Sequence, residues 1–168
     1  MRSFGKNQLT EIEVFFLHAA SLTKASTELI LPTKYLTALI ACDSDQFSVD
    51  EISNFAKALL EKGAVYLCFW GKGCERFHDI VDEVEVEMET LGKPCPARHD
   101  GILMTTWHKD ESLDQALWFL LSCAWPLDDE IESCSTVVIT IGNESWANSV
   151  ASRLENMDQF RKEISDAD

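Results

Sequence analysis

Hydrophobic and polar positions along this chain fall into blocks that repeat one order. A short apolar run comes first, then a polar handover, then an apolar stripe at helical spacing. Tyr35 to Cys42 is nearly continuous in apolar residues, the pattern of a parallel strand covered on both faces. Ser48-Val49-Asp50-Glu51 follows as a capping box, and Ile52, Phe55, Ala56, Leu59 and Leu60 form a stripe that Gly63 stops. Ala64 to Trp70 predicts a second strand, followed by a helix from Cys74 to Leu91 with Phe77, Ile80, Val81, Val84, Met88 and Leu91 on one face. The tail of that helix, Val84 to Glu89, also alternates with period two and leaves a short strand open there. Lys93-Pro94-Cys95-Pro96 ends the unit, because two prolines this close forbid regular structure.

Gly101 to Trp107 predicts the third strand. Ser112 and Gln115 make its capping box, Leu113, Ala116, Leu117, Leu120 and Leu121 its stripe, and Trp125-Pro126 its end. Ser135 to Ile141 predicts the fourth strand, leading through Gly142-Asn143 into a helix with Trp146, Val150, Leu154 and Met157. Ile12 to Leu17 reads equally as an edge strand or as part of a helix through Ala25, and residues from Asp158 onward are polar enough to fray. The expectation is one α/β domain over residues 1–168 with a core at about 10–157. It is a three-layer, Rossmann-like or flavodoxin-like fold, with a mostly parallel sheet of four to five strands and right-handed crossovers that put helices on both faces. The expected order of the four strands is 2-1-3-4.

Composition narrows the class. An apolar fraction of 46% and nine phenylalanines argue for a packed core rather than disorder. With 29 acidic against 14 basic residues and a net charge of -15, the chain lacks the clustered cations that nucleic acid or an anionic membrane requires. What remains is a merely solvated surface or an acidic face that steers a basic protein partner. No apolar run approaches the roughly 18 residues of a membrane span, and no signal-peptide pattern opens the chain. The six cysteines show no framework spacing, and Cys42 and Cys68 lie inside apolar runs as core thiols. The expected compartment is a reducing cytoplasm.

Candidate chemistry gathers where strands hand over to helices, the edge at which open α/β sheets bind ligands. There the chain places Asp43 and Asp45, then Trp70-Gly71-Lys72-Gly73-Cys74-Glu75, then Trp107 and His108, and finally Asn143 and Glu144. Gly71 and Gly73 are candidate phosphate-cradle glycines, but Arg76 stands where the dinucleotide fingerprint needs a third glycine or alanine, so a simple turn competes. Cys74 at a helix start is a candidate nucleophile, with His78 or His108 as base and Asp43 or Glu75 as orienter; a half-buried structural thiol is the alternative. Cys74, His78 and His108 also form an incomplete zinc set, which no further ligand motif completes, so no metal is assigned. Glu75 or Glu111 between Trp70 and Trp107 suits carboxylate chemistry on a ring-bearing substrate, against the plain alternatives of core tryptophans and a dipole-favouring Glu111. Asp79, Asp82 and Glu83 read as a solvated helix face.

The runs Ala64-Val65-Tyr66-Leu67-Cys68-Phe69-Trp70-Gly71, Cys74-Glu75-Arg76-Phe77-His78-Asp79 and Met104-Thr105-Thr106-Trp107-His108, with Glu111-Ser112-Leu113 and Ala116-Leu117-Trp118 after them, resemble an uncharacterised bacterial family, a domain of unknown function. The resemblance spans Tyr35 to Leu154. It implies a bacterial origin and a small cytosolic protein, and assigns no activity, cofactor or oligomeric state. Two classes of function therefore stand. One is an acidic interaction protein for a basic partner, immunity- or antitoxin-like or an accessory subunit. The other is a small enzyme or ligand sensor using Cys74, Glu75, His78 and His108, with Asp43, Asp45, Trp70, Gly71, Gly73, Trp107 and Asn143 around the ligand.

Overall fold

A computed structural model describes residues 1–93 and 103–165. The elements are β1 (Arg2–Lys6), β2 (Glu13–Ala19), α1 (Leu22–Glu28), β3 (Tyr35–Ala41), α2 (Val49–Glu61), β4 (Ala64–Trp70), α3 (Cys74–Thr90), β5 (Met104–His108), α4 (Leu113–Ser122), β6 (Cys134–Ile141), α5 (Glu144–Leu154) and α6 (Met157–Ser165). The Pro94-Cys95-Pro96 break and the Gly101 start of the third strand lie outside the described residues.

The six strands form one sheet in the order β1-β2-β6-β3-β4-β5. All pairs are parallel except β1 with β2, which are antiparallel. The count of four to five strands is thus corrected to six. The fold is α/β as expected, but the strand order 2-1-3-4 is also corrected: the four central units run 4-1-2-3. The difference comes from the N-terminal hairpin. β2 supplies a parallel partner on one side of β6, so β6 seats itself between β2 and β3 rather than at an edge. Ile12 to Leu17 leads into strand β2, which is interior, between β1 and β6, rather than an edge strand, and the helix through Ala25 is the separate α1, which Ser21 caps through the Lys24 amide. β1 is exposed and polar, so it carries no alternating signal of the kind that reveals a strand.

Right-handed crossovers that run in opposite directions along the sheet divide the helices between its faces. α1, α2 and α3 cover one face, where Leu22, Phe55 and Phe77 join Ile40, Phe69 and Ile139. α4, α5 and α6 cover the other, where Leu120, Leu154 and Phe160 join Leu39, Tyr66 and Val138. Both predicted capping boxes form: Ser48 with Glu51, and Ser112 with Gln115. Val84 to Glu89 is helical, with Val84 and Met88 buried against the sheet, because the stripe outweighs the local alternation. The segment from Asp158 is not frayed through Ser165; Phe160 is buried and Arg161 bonds Asp158, so one aromatic anchor docks an otherwise polar helix. Thr37 and Thr136 are buried side by side on β3 and β6, and their hydroxyls satisfy each other at 3.1 Å. Among the described residues no helix is long and apolar enough to cross a membrane.

Candidate functional site

Helices leave the carboxyl ends of β3 and β6 toward opposite faces of the sheet, and the same is true of β4 and β5. Divergence of this kind opens a crevice at the strand ends. The two crevices here have different fates.

The one between β4 and β5 holds the candidate Cys/Glu/His set, and it is closed. The Trp70 indole N–H donates to the Glu111 carbonyl at 2.8 Å, and Lys109 Nζ pairs with Glu75 at 3.5 Å. Cys74 is buried beneath, and burial pushes its thiol up, against the opposing pull of the His108 and Glu75 backbone amides. His108 does not face it. Its ring rests on Phe119 of α4, across the sheet from Cys74, with Nδ1 2.8 Å from Glu111 and Nε2 3.2 Å from the Thr106 hydroxyl. Tyr66 and Cys68 share that hydroxyl, so His108 belongs to a buried polar network under α4.

His78 is committed as well. Its Nδ1 lies 3.1 Å from Asp79, and its Nε2 lies 3.0 Å from the Thr105 hydroxyl and 3.4 Å from Asp82. The ring meets that of Trp107 at 4.5 Å. Asp79 and Asp82, read from the sequence as a solvated face, therefore also position His78. The structure brings Cys74 and Glu75 to one helix start and does not bring His78 or His108 to the sulfur. Among the described residues no group of three or more His, Cys, Asp or Glu side chains is arranged to hold a metal ion.

Cys42, Cys68, Cys74 and Cys134 are buried, and burial drives the Cys42, Cys68 and Cys134 thiols to about 12, whereas Cys123 is exposed. Iodoacetamide at neutral pH is expected to label Cys123 at least about tenfold faster than Cys74, because Cys123 is exposed and Cys74 is buried. Site-resolved mass spectrometry checks this. Labelling of Cys74 at the rate of Cys123 would restore the nucleophile.

Gly71 and Gly73 make a turn that packs onto the neighbouring loop. A Cβ on Gly71 would overlap the Cys42 carbonyl, and one on Gly73 would stand 2.7 Å from Asp45 Oδ1. Ser44 donates through its amide to the Lys72 carbonyl at 2.9 Å and through its hydroxyl to the Gly73 carbonyl at 2.5 Å. Asp45 is paired with Lys72 at 3.0 Å. Arg76, the residue that breaks the dinucleotide fingerprint, donates to the carbonyls of Ser44 at 2.8 Å and Phe47 at 3.2 Å. The space a phosphate would need over the glycines is filled by the β3–α2 loop.

That same loop forms one wall of the open crevice between β3 and β6. A cavity of about 290 Å³ lies there, with Asp43, Gln46, Phe47 and Glu51 on one side and Asn143 and Trp146 on the other. Asp43 accepts from the Asp45 amide and from Gln46 Nε2. Glu51 accepts from the Ser48 amide and hydroxyl, donors that hold its carboxyl below the ordinary range and keep it ionised at neutral pH. Asn143 caps α5 through the Trp146 amide, and the Trp146 ring meets Trp70 edge-on at 5.1 Å. Asp43 and Asn143 are legible from the sequence as strand-end residues. Glu51 and Trp146 are not, because one is disguised as a capping-box partner and the other as a stripe residue.

Compared with known proteins, the chain matches no curated protein and no solved structure. Residues 13–157, nearly the whole of the sheet and its helices, match one family, and the chain belongs to it: DUF7684, a domain of unknown function.

Proposed function

We propose that this chain acts by binding a basic protein partner, as an accessory or inhibitor-like domain, and that the β5 edge of the sheet is its contact surface. The observation that carries the reading is the contrast between the two sheet edges. β1 presents the exposed cations Arg2 and Lys6, the usual guard against strand addition. β5 presents Met104 and Trp107, each nearly half-exposed, and among the described residues it pairs with β4 alone. Trp107 leans on His78, which Asp79 and Asp82 bracket, so an indole and two carboxylates stand together on the edge. An arginine or lysine of a docking segment would stack on the indole and pair with the carboxylates. The net charge of -15 would draw such a partner in. The buried thiols suit a reducing compartment, in keeping with a cytoplasmic protein.

Affinity capture on the immobilised chain, with mass-spectrometric identification, tests this. Wild type is expected to retain at least one protein of pI above about 9. That protein should be released as salt rises and should be lost to a Met104→Ala/Trp107→Ala variant. Capture that is indifferent to salt, or equal on the variant, overturns the reading.

A further inference from the structure

The crevice between β3 and β6 is not used by the β5 edge, and its composition is selective. Its cavity is bordered by two carboxylates, two carboxamides and two aromatic rings, and no Lys, Arg or His side chain borders it. Among the described residues neither Asp43 nor Glu51 enters an ion pair; the Lys72 ammonium acts on Asp43 only from beyond pairing distance and takes Asp45 as its close partner. Their hydrogen-bond donors are backbone amides, the Ser48 hydroxyl and the Gln46 amide, all uncharged. Two negative charges thus face one partly enclosed space beside the Trp146 indole and the Phe47 ring. Carboxylates with aromatic faces are the recognition chemistry of an organic cation, which gains from charge pairing and from the ring quadrupole together. An anion would meet repulsion, and a purely apolar ligand would leave the carboxylates desolvated. The volume is that of roughly ten waters, enough for a head group and a short chain and too small for a nucleotide.

We infer that the β3–β6 crevice is a binding site for the head group of an organic cation, an alkylammonium or alkylguanidinium, held between Asp43 and Glu51 and against Trp146. The cation arrives either as a free small molecule or as an arginine or lysine side chain. Asp43 and Glu51 direct it, and the Asn143 carboxamide provides a neutral hydrogen-bonding group on the opposite wall.

Calorimetric titration of the whole chain with three probes tests the site: butylguanidinium, Nα-acetyl-arginine amide and the neutral isostere butylurea. Both cations are expected to bind at least about tenfold more tightly than butylurea, and to weaken as ionic strength rises. An Asp43→Asn/Glu51→Gln variant keeps the backbone amide bonds from Asp45 and Ser48, since one carboxamide oxygen accepts each, while Gln46, which donates to the second Asp43 oxygen, turns its amide round to accept from Asn. The variant is expected to lose at least about tenfold in cation affinity with a nearly unchanged unfolding midpoint. Tighter binding of the arginine amide assigns the site to a protein side chain, and tighter binding of butylguanidinium assigns it to a free small cation. Equal affinity for butylurea, full affinity in the variant, or no cation binding overturns the inference. Met104→Ala/Trp107→Ala should leave the titration unchanged, which keeps this result separate from the fate of the β5 edge.

Discussion

Replacing Phe77 by alanine is expected to remove about 4 kcal/mol of unfolding free energy. Phe77 is fully buried on α3, stacks on Phe69 of β4 at 5.0 Å and meets the edge of Phe55 of α2 at 6.2 Å. One ring therefore joins two helices to the sheet. Truncation forfeits its transfer energy and leaves a hole that three rigid elements cannot collapse to fill. Domains of this size hold only about 5–15 kcal/mol in reserve, so the variant keeps a fraction of its margin. Guanidinium denaturation should show a lower midpoint at unchanged slope. Val86→Ala on the same helix, at 61% exposure, should stay within about 0.5 kcal/mol. A Phe77→Ala cost below about 2 kcal/mol would mean that α2 and α3 close over the gap.

Gly71→Ala is expected to cost about 3 kcal/mol or more, through the backbone rather than through burial. Gly71 has φ 111°, which side chains rarely adopt, and its Cβ would overlap the Cys42 carbonyl oxygen and stand 3.0 Å from the carbonyl carbon. Neither atom can swing aside, because Cys42 is held by its own amide bond to the Trp70 carbonyl at 3.0 Å. The β3–α2 loop must shift, and Asp43 shifts with it. Gly92 is the control: it also has positive φ, yet a Cβ there meets nothing within 4 Å, so Gly92→Ala should cost about 1 kcal/mol. Equal costs at the two positions, by the same denaturation experiment, would show that φ alone decides and that the loop contact is loose.

The four central strand–helix units are legible because each couples a run buried on both faces to a stripe of helical period, and Ser48 and Ser112 mark two helix starts chemically. Strand order is not legible, since adjacency depends on which edges remain free when the strands meet, and a polar strand such as β1 leaves no pattern. At the site, the spacing of Cys74, Glu75 and His78 puts the first two at the start of α3 and His78 one turn on, but is silent about which face of the sheet His108 occupies. A strand alternates faces at every residue, so Trp107 and His108 part company: one meets His78 of α3, the other Phe119 of α4. Asp43 and Asn143 are recoverable because strand ends converge whatever the order, whereas Glu51 and Trp146 enter the crevice only through the pairing of β6 with β3.

That pairing also governs how the chain can assemble. β6 is the last of the six strands in sequence yet lies between two of the earlier ones, so β2 and β3 cannot satisfy their facing edges until Cys134–Ile141 has been synthesised. Up to that moment the nascent chain carries two long apolar strands, each with a row of unpaired amides and carbonyls, and Thr37 waits for Thr136. Closure of the sheet is then a late, long-range step rather than a progressive one. A ribosome that pauses before residue 134 would hold the molecule at its most aggregation-prone, with the gap in the middle of the sheet open to any other strand that fits.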